Sequence, residues 1–253
     1  MTSSSYNDAA ARRYAAAEDC PDSFANMIAP RIMRVLGSLE RPAPRTHRTL
    51  DIGAGTGQLL DVFRAGGFET VGVDLSAPML ERRSQRWSAQ PGVAVCADAA
   101  HLPLLGPFDL VTATFNVLNH LPDHQRVQST LDEVSRVIAP DGLFVFDINT
   151  RLGLERTETL TVIQDSADAR TRWHRHWLTN DVLRLEASGS FRDGDDWHSY
   201  DEVIDKIVLS TSWLESSLED AGLGDVTWVA NDLVTPLVEP EQHSVAFALV
   251  RPG

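Results

Sequence analysis

Lysine is almost missing from this 253-residue chain: Lys206 is a single lysine among 22 basic residues, and the others are arginines. Cysteine is as scarce. Cys20 and Cys96 exclude a disulfide framework and a cysteine-built metal cluster. No apolar run approaches the roughly 20 residues needed to cross a bilayer. The first residues, "MTSSSYNDAAARRYAAAED", offer no apolar signal region, so a cytoplasmic protein without membrane partners is expected. Positive charge is in short supply too. A formal net charge of −14 repels phosphate backbones, and nucleic acid is excluded as a partner unless the fold assembles a basic patch. The one local basic cluster is "RTRWHRHW", from Arg170 to Trp177. Internal repeats and low-complexity tracts are absent as well.

The length suits one large α/β domain with a small appendage. "DSFANMIAPRIMRVL" places Phe24, Met27, Ile28, Ile32, Val35 and Leu36 on one helical face, with a kink or a new helix expected at Pro30. "GSLERPAPRTH" reads as a Pro-rich joint. Strands and helices then alternate: "HRTLDIG", a helix from Thr56 to Ala65, "ETVGVDL", and a helix capped by Ser76. They continue with "GVAVCAD", "FDLVTATF", the helix "DHQRVQSTLDEVSRVI" and "LFVFDI". That rhythm predicts a doubly wound parallel sheet. After Asn149 it changes. "RTRWHRHWL", "VLRLEASGSF" and "WHSYDEVIDKIVL", joined by "TND" and "RDGDD", predict a small antiparallel sheet. The helix "STSWLESSLEDAGL", with Ser212 and Glu215 at capping-box spacing, and the strands "DVTWVAN" and "SVAFALV" complete the chain.

The stretch "LDIGAGTG" joins the first strand to a helix through Gly53, Gly55 and Gly57. Such a loop lets backbone approach a ligand and aims helix N-terminal amides at it. Asp74 ends the second strand, where a carboxylate meets ribose hydroxyls. So far NAD and S-adenosylmethionine fit equally. Three features separate them. The third glycine of a G-x-G-x-x-G fingerprint would fall on Gln58. Asp51, just before the loop, would repel a pyrophosphate but suits a ligand carrying an ammonium and a sulfonium. Asp98, after the third strand, is placed to accept from an adenine amino group. Each acid could instead cap a helix or a loop; three in register favour the ligand.

"LDIGAGTG", "VGVDLSAPML", "ADAAHLP", "FDLVTATFNVLNHL" and "VIAPDGLFVFDINT" follow one another in the order seen in the class I S-adenosylmethionine-dependent methyltransferases, and from Thr46 to Asn149 the chain resembles that family. The resemblance implies a Rossmann-like seven-stranded sheet with an antiparallel last strand. It implies that Gly53, Ala54, Gly55 and Gly57 line the methionine and ribose side of the cofactor, with Asp51 on its amino group. Asp74 would take the ribose hydroxyls, Leu75 and Met79 would flank the adenine, and Asp98 with the Ala99 amide would read its edge. Thr114 and Phe115 would close the amino-acid end. In similar small-molecule enzymes the N-terminal segment folds over the cofactor, which gives Tyr14 a cofactor contact and Tyr6 an acceptor contact. Four segments follow: a helical lid at 1–45, the cofactor-binding core at 46–150, the β insertion at 151–209 and the closing elements at 210–253.

The sulfonium carries the reactivity, so the protein aligns a nucleophile and excludes water. His120 is the candidate general base, unless it only packs beside Pro122; Asn116 and Asn119 are candidates to orient the acceptor. His124 lies four residues on, but Pro122 intervenes, and no metal is expected. In the inserted sheet, alternation sets Trp173, Arg175 and Trp177 on one face as an acceptor platform, with Arg172, His174 and His176 facing solvent on the other. The expected activity is methyl transfer to an amine or hydroxyl of a small molecule in specialised metabolism, by a monomer or homodimer, resembling bacterial natural-product N- and O-methyltransferases. A protein methyltransferase and a non-catalytic cofactor-binding protein are the alternatives.

Overall fold

A computed structural model describes residues 6–16, 24–38, 47–86, 93–157, 162–165, 169–193 and 195–253. Cys20 and most of the Pro-rich joint fall outside them. The helices α1 (Asp8–Ala16) and α2 (Phe24–Ser38) precede β1 (Arg48–Ile52), α3 (Gln58–Ala65), β2 (Glu69–Asp74), α4 (Ala77–Arg86) and β3 (Val93–Cys96). Then come β4 (Phe108–Ala113), a 3-10 turn at Val117–His120, α5 (His124–Val137), β5 (Ile138–Asn149) and α6 (Arg151–Thr157). Four further strands follow: β6 (Val162–Asp165), β7 (Ala169–Thr179), β8 (Val182–Asp193) and β9 (Asp196–Ile207). The chain closes with α7 (Thr211–Asp220), β10 (Asp225–Val229), a 3-10 turn at Pro240–Gln242 and β11 (Val245–Arg251).

Seven strands form one sheet in the order β10-β11-β5-β4-β1-β2-β3, and β11 runs antiparallel to both neighbours. All six residues of β4 are buried, as expected for a strand covered on both faces. Period-2 alternation divides the core. Val111, Phe144 and Phe146 pack with Leu131 and Val134 of α5 and Leu214 and Leu218 of α7. Leu110, Leu143 and Val145 pack on the opposite face with Ile28, Ile32 and Leu36 of α2 and Phe63 of α3. β1 lies between β4 and β2, so the strand order reverses beside it, and a ligand crevice belongs at its carboxyl end.

The inserted strands form a second sheet, β6-β7-β8-β9, antiparallel throughout. The β7–β8 hairpin turns between the paired Thr179 and Val182, at the predicted Asn-Asp. One face of the insert packs against α1, which also meets α4 across the crevice.

Several local expectations differ from the structure. No second helix starts at Pro30: α2 runs through it from Phe24 to Ser38, with the ring on the exposed face. Met27 is turned outward, 45% exposed. The cap of α7 is Ser210, which accepts from the Trp213 amide at 3.2 Å, rather than Ser212. Glu215 instead accepts from the Trp228 indole at 2.8 Å, so a tertiary contact takes the side chain that the capping box would have used. α6 and β6 had no counterpart in the sequence reading.

Candidate active site

The crevice at the carboxyl end of β1 is a cavity of about 510 Å³. Its floor is the glycine loop. Gly53 has φ +70°, and a Cβ there would lie 2.5 Å from a Val117 methyl, so no other residue fits. Gly55, at φ +54°, faces open space where a Cβ would stand, leaving backbone bare toward the cavity. Leu75 and Phe115 line the same space while 61% and 52% exposed, an unusual position for large apolar side chains unless a ligand covers them.

Asp51, Asp74 and Asp98 all line the cavity. Asp51 is buried and accepts from the Thr112 hydroxyl at 2.7 Å. Asp74 accepts from the Ser76 amide at 2.7 Å and the Gly55 amide at 2.8 Å. Desolvation raises its carboxyl above the ordinary range, and those two amides pull it back. Asp98 caps the Ala100 amide at 2.9 Å, and its other oxygen meets Arg126 at 3.1 Å. Its alternative use as a loop cap is therefore realised beside the cavity. Anions around bare backbone, with apolar walls between, fit an adenosine that carries a sulfonium and an ammonium.

Behind the opposite wall runs a hydrogen-bonded chain that reaches the cavity at His120 and Tyr6. Phe115 and Asn116 both adopt left-handed backbone, φ +68° and +53°, which costs energy in residues with a Cβ. Asp147 holds them there, accepting from their amides at 2.6 and 3.0 Å. Burial pushes its carboxyl up to about 7, against the two amides and the Lys206 charge. Lys206 donates to Asn116 Oδ1 at 2.7 Å and Asn149 Oδ1 at 2.9 Å. Burial lowers its ammonium to about 8, Asp147 opposes that, and Arg175 adds to it. Asn116 Oδ1 also lies 3.0 Å from His120 Nε2, which must then carry the hydrogen. His120 Nδ1 is left as an acceptor, 3.1 Å from the Tyr6 hydroxyl. Burial, and then the Lys206 charge, drives the His120 pKa down to about 3, so the ring is neutral at physiological pH.

Tyr6 spans the mouth. Its carbonyl accepts from the Ser76 hydroxyl at 2.7 Å while its phenol sits on His120, and its ring lies 6.0 Å from that of Tyr14. The structure thus gathers Tyr6, Tyr14, His120, Ala54, Met79, Ala99 and Thr114 with the residues already placed around the cavity. Gly57 is not among the lining residues and turns the chain into α3 at φ +85°. Asn119 is fully buried, and its amide is spent on backbone: it donates to Asn149 O and Ile207 O and accepts from Asn149 N. It has nothing left with which to orient an acceptor, and that expectation is corrected. Asn116, whose Oδ1 is engaged by Lys206 and His120, does not line the cavity, and neither do Trp173, Arg175 and Trp177. The two indoles pack with Tyr6 around Leu183, Leu185 and Ile204, and the Arg175 guanidinium lies 5.8 Å above Trp173. The sequence reading missed Phe24, Gln58 and Val117 on the cavity wall, and Asp147 and Lys206 behind it. An aspartate inside "LFVFDI" and a lone lysine in a lysine-poor chain were the available signals.

Residues 50–146 match the family model described as a methyltransferase domain. A malonyl-[acyl-carrier protein] O-methyltransferase of Geobacter sulfurreducens is 32% identical over 183 residues, 68% of this chain and 65% of that protein. Among solved structures, an S-adenosylmethionine-dependent methyltransferase from Clostridium acetobutylicum superimposes with a TM-score of 0.83 at 22% identity, covering 95% of this chain and 98% of that one. CalS10 of Micromonospora echinaspora, an amino pentose methyltransferase of calicheamicin biosynthesis, gives 0.70 at 20% identity, covering 94% and 96%. With the glycine loop, its acids and this sheet order in place, the chain belongs to the S-adenosylmethionine-dependent methyltransferases.

Proposed function

We propose that the chain methylates an amine of a small molecule, as an enzyme of specialised metabolism in the cytoplasm. The observation that carries this reading is the line Lys206–Asn116–His120–Tyr6, which runs from behind the cavity wall to its mouth. S-adenosylmethionine supplies a methyl group already made electrophilic by its sulfonium. The protein's task is to present a lone pair in line with it. His120 enters that task as a neutral ring whose Nδ1 can only accept. A hydroxyl acceptor would have to surrender its proton, and burial beside Lys206 opposes the imidazolium that would receive it. An amine needs no prior proton transfer, and the same surroundings favour its neutral, nucleophilic form. As the nitrogen takes the methyl, the C–S electrons stay on sulfur and positive charge grows on nitrogen. An N–H hydrogen bond to the Tyr6 phenol oxygen, whose own hydrogen is taken up by His120 Nδ1, then strengthens in the transition state.

The cavity volume lies within the range of about 300–1,000 Å³ common to small-molecule sites. Residues of α1 close over it, so we assign 6–16 to a lid and the inserted sheet to a wall behind Tyr6. CalS10, with the same fold, acts on an amino sugar; the Geobacter relative is an O-methyltransferase, so the choice of nitrogen rests on the His120 surroundings.

The test uses S-adenosylmethionine with a labelled methyl group, incubated with pure protein and cell extract split into small-molecule and macromolecular fractions. Label on nitrogen of a small molecule is expected. Label on oxygen would overturn the choice of acceptor atom. Label confined to macromolecules would establish the protein-methyltransferase alternative, and binding without transfer to any fraction would establish the non-catalytic one.

A further inference from the structure

We propose that the outward face of the inserted sheet holds a second site, in which His174, His176 and Glu186 bind one divalent transition-metal ion of the zinc type. The argument starts in β7, where a spacing of two sets both imidazoles on one face of the strand. In the β7–β8 ladder, His174 pairs directly with Glu186, which brings the carboxylate to the same place. One ligand atom from each residue lies within 4.8 Å of the other two, and the imidazole centroids are 5.1 Å apart.

These groups are also free to coordinate. None of the three makes a hydrogen bond to a described residue, and the Nδ1 of His176 is buried without a partner. Arg184, the cation coupled electrostatically to Glu186, is occupied by Asp205 through contacts of 2.7 and 2.8 Å. A buried imidazole nitrogen with no partner is costly, and a metal ion is one way to satisfy it.

The donor set decides the class of ion. Two imidazoles and one carboxylate match zinc and its first-row neighbours, whereas calcium and magnesium require shells of oxygen. Ligand atoms about 2.1 Å from a tetrahedral ion lie about 3.4 Å apart. His174 and Glu186 are exposed, so rotation of their side chains closes the remaining gap. Water would complete the fourth position. The ion would cross-link β7 to β8 on the face opposite Trp173, Arg175 and Trp177, away from the cofactor cavity.

The test uses the untagged full chain, stripped with a chelator and titrated with Zn²⁺ alone in a calorimeter. One equivalent should bind saturably, Co²⁺ should compete and Ca²⁺ should not. His176→Ala and Glu186→Gln should each weaken binding by more than about tenfold. His198→Ala, a control in the same sheet, should not. Glu186→Gln changes an exposed side chain almost isosterically, and unchanged S-adenosylmethionine affinity would show that the variant is folded. Absence of saturable Zn²⁺ binding, or its retention in His174→Ala/His176→Ala, would overturn the site.

Discussion

Single side chains hold the sharpest expectations. Asp74 is fixed by two backbone amides at the cavity floor, with its carboxyl poised toward the space assigned to the ribose. Asp74→Ala should weaken S-adenosylmethionine binding by more than about 1 kcal/mol in calorimetry; an unchanged Kd would remove Asp74 from that role. His120→Ala should lower turnover on the true acceptor on the order of 10- to 100-fold with cofactor affinity nearly intact, since positioning alone reaches that size. Full turnover would return His120 to packing. His120 also marks stability. Its pKa is about 3 in the folded chain against 6.5 ordinarily. Between those values the unfolded chain binds a proton that the folded one refuses, so its contribution is complete above about pH 6.5 and is lost as pH falls toward 3. His120→Gln should flatten the acid-side fall of the urea midpoint relative to the parent, and parallel curves would contradict a buried neutral ring. Asp51, Asp74 and Asp98 were legible because each is read from its neighbours along the chain. Lys206 was not: its partner Asn116 is 90 residues away, and only the fold joins them.

Among elements, α1 shows how a short helix becomes part of a site. Asn7 caps it through the Ala10 amide at 2.9 Å, Ser76 grips the Tyr6 carbonyl, and Asp8 meets Arg82 of α4 at 3.5 Å. Tyr6→Phe keeps the ring and the Ser76 contact but removes the bond to His120. The expected result is a lower kcat with little change in KM for the cofactor; a change confined to KM would mean that the phenol serves the cofactor instead. The doubly wound order was legible because buried strands and amphipathic helices alternate at their own periods. α6 and β6 were not, being short and without a clear period. The start of α7 was misread because Ser210 and Ser212 are locally equivalent caps, and the indole of Trp228, from β10, decides how Glu215 is used.

For the molecule as a whole, the cofactor should act as a structural ligand. Bound in this cavity, it would touch the glycine loop, the ends of β2, β3 and β4, and the mouth under Tyr6. At 100 times its Kd, binding adds about 2.7 kcal/mol to the folded state, which in a chain of this size raises Tm by roughly 5–10 °C. A flat melting profile across a cofactor titration would argue against the site. Despite the acidic charge, salt should leave cofactor affinity almost unchanged in calorimetry, because Asp51, the acid assigned to its ammonium, is buried and screened little. The buried Asn119 matters on this scale as well. Its side-chain amide reaches Asn149, where the chain leaves the large sheet, and Ile207, where the inserted strands end. The long excursion between them therefore begins and ends at one point, like a graft with a single stitch. Loops of quite different length and content could be exchanged there without disturbing the glycine loop, and Asn119→Ala should loosen the insert while sparing the parallel strands.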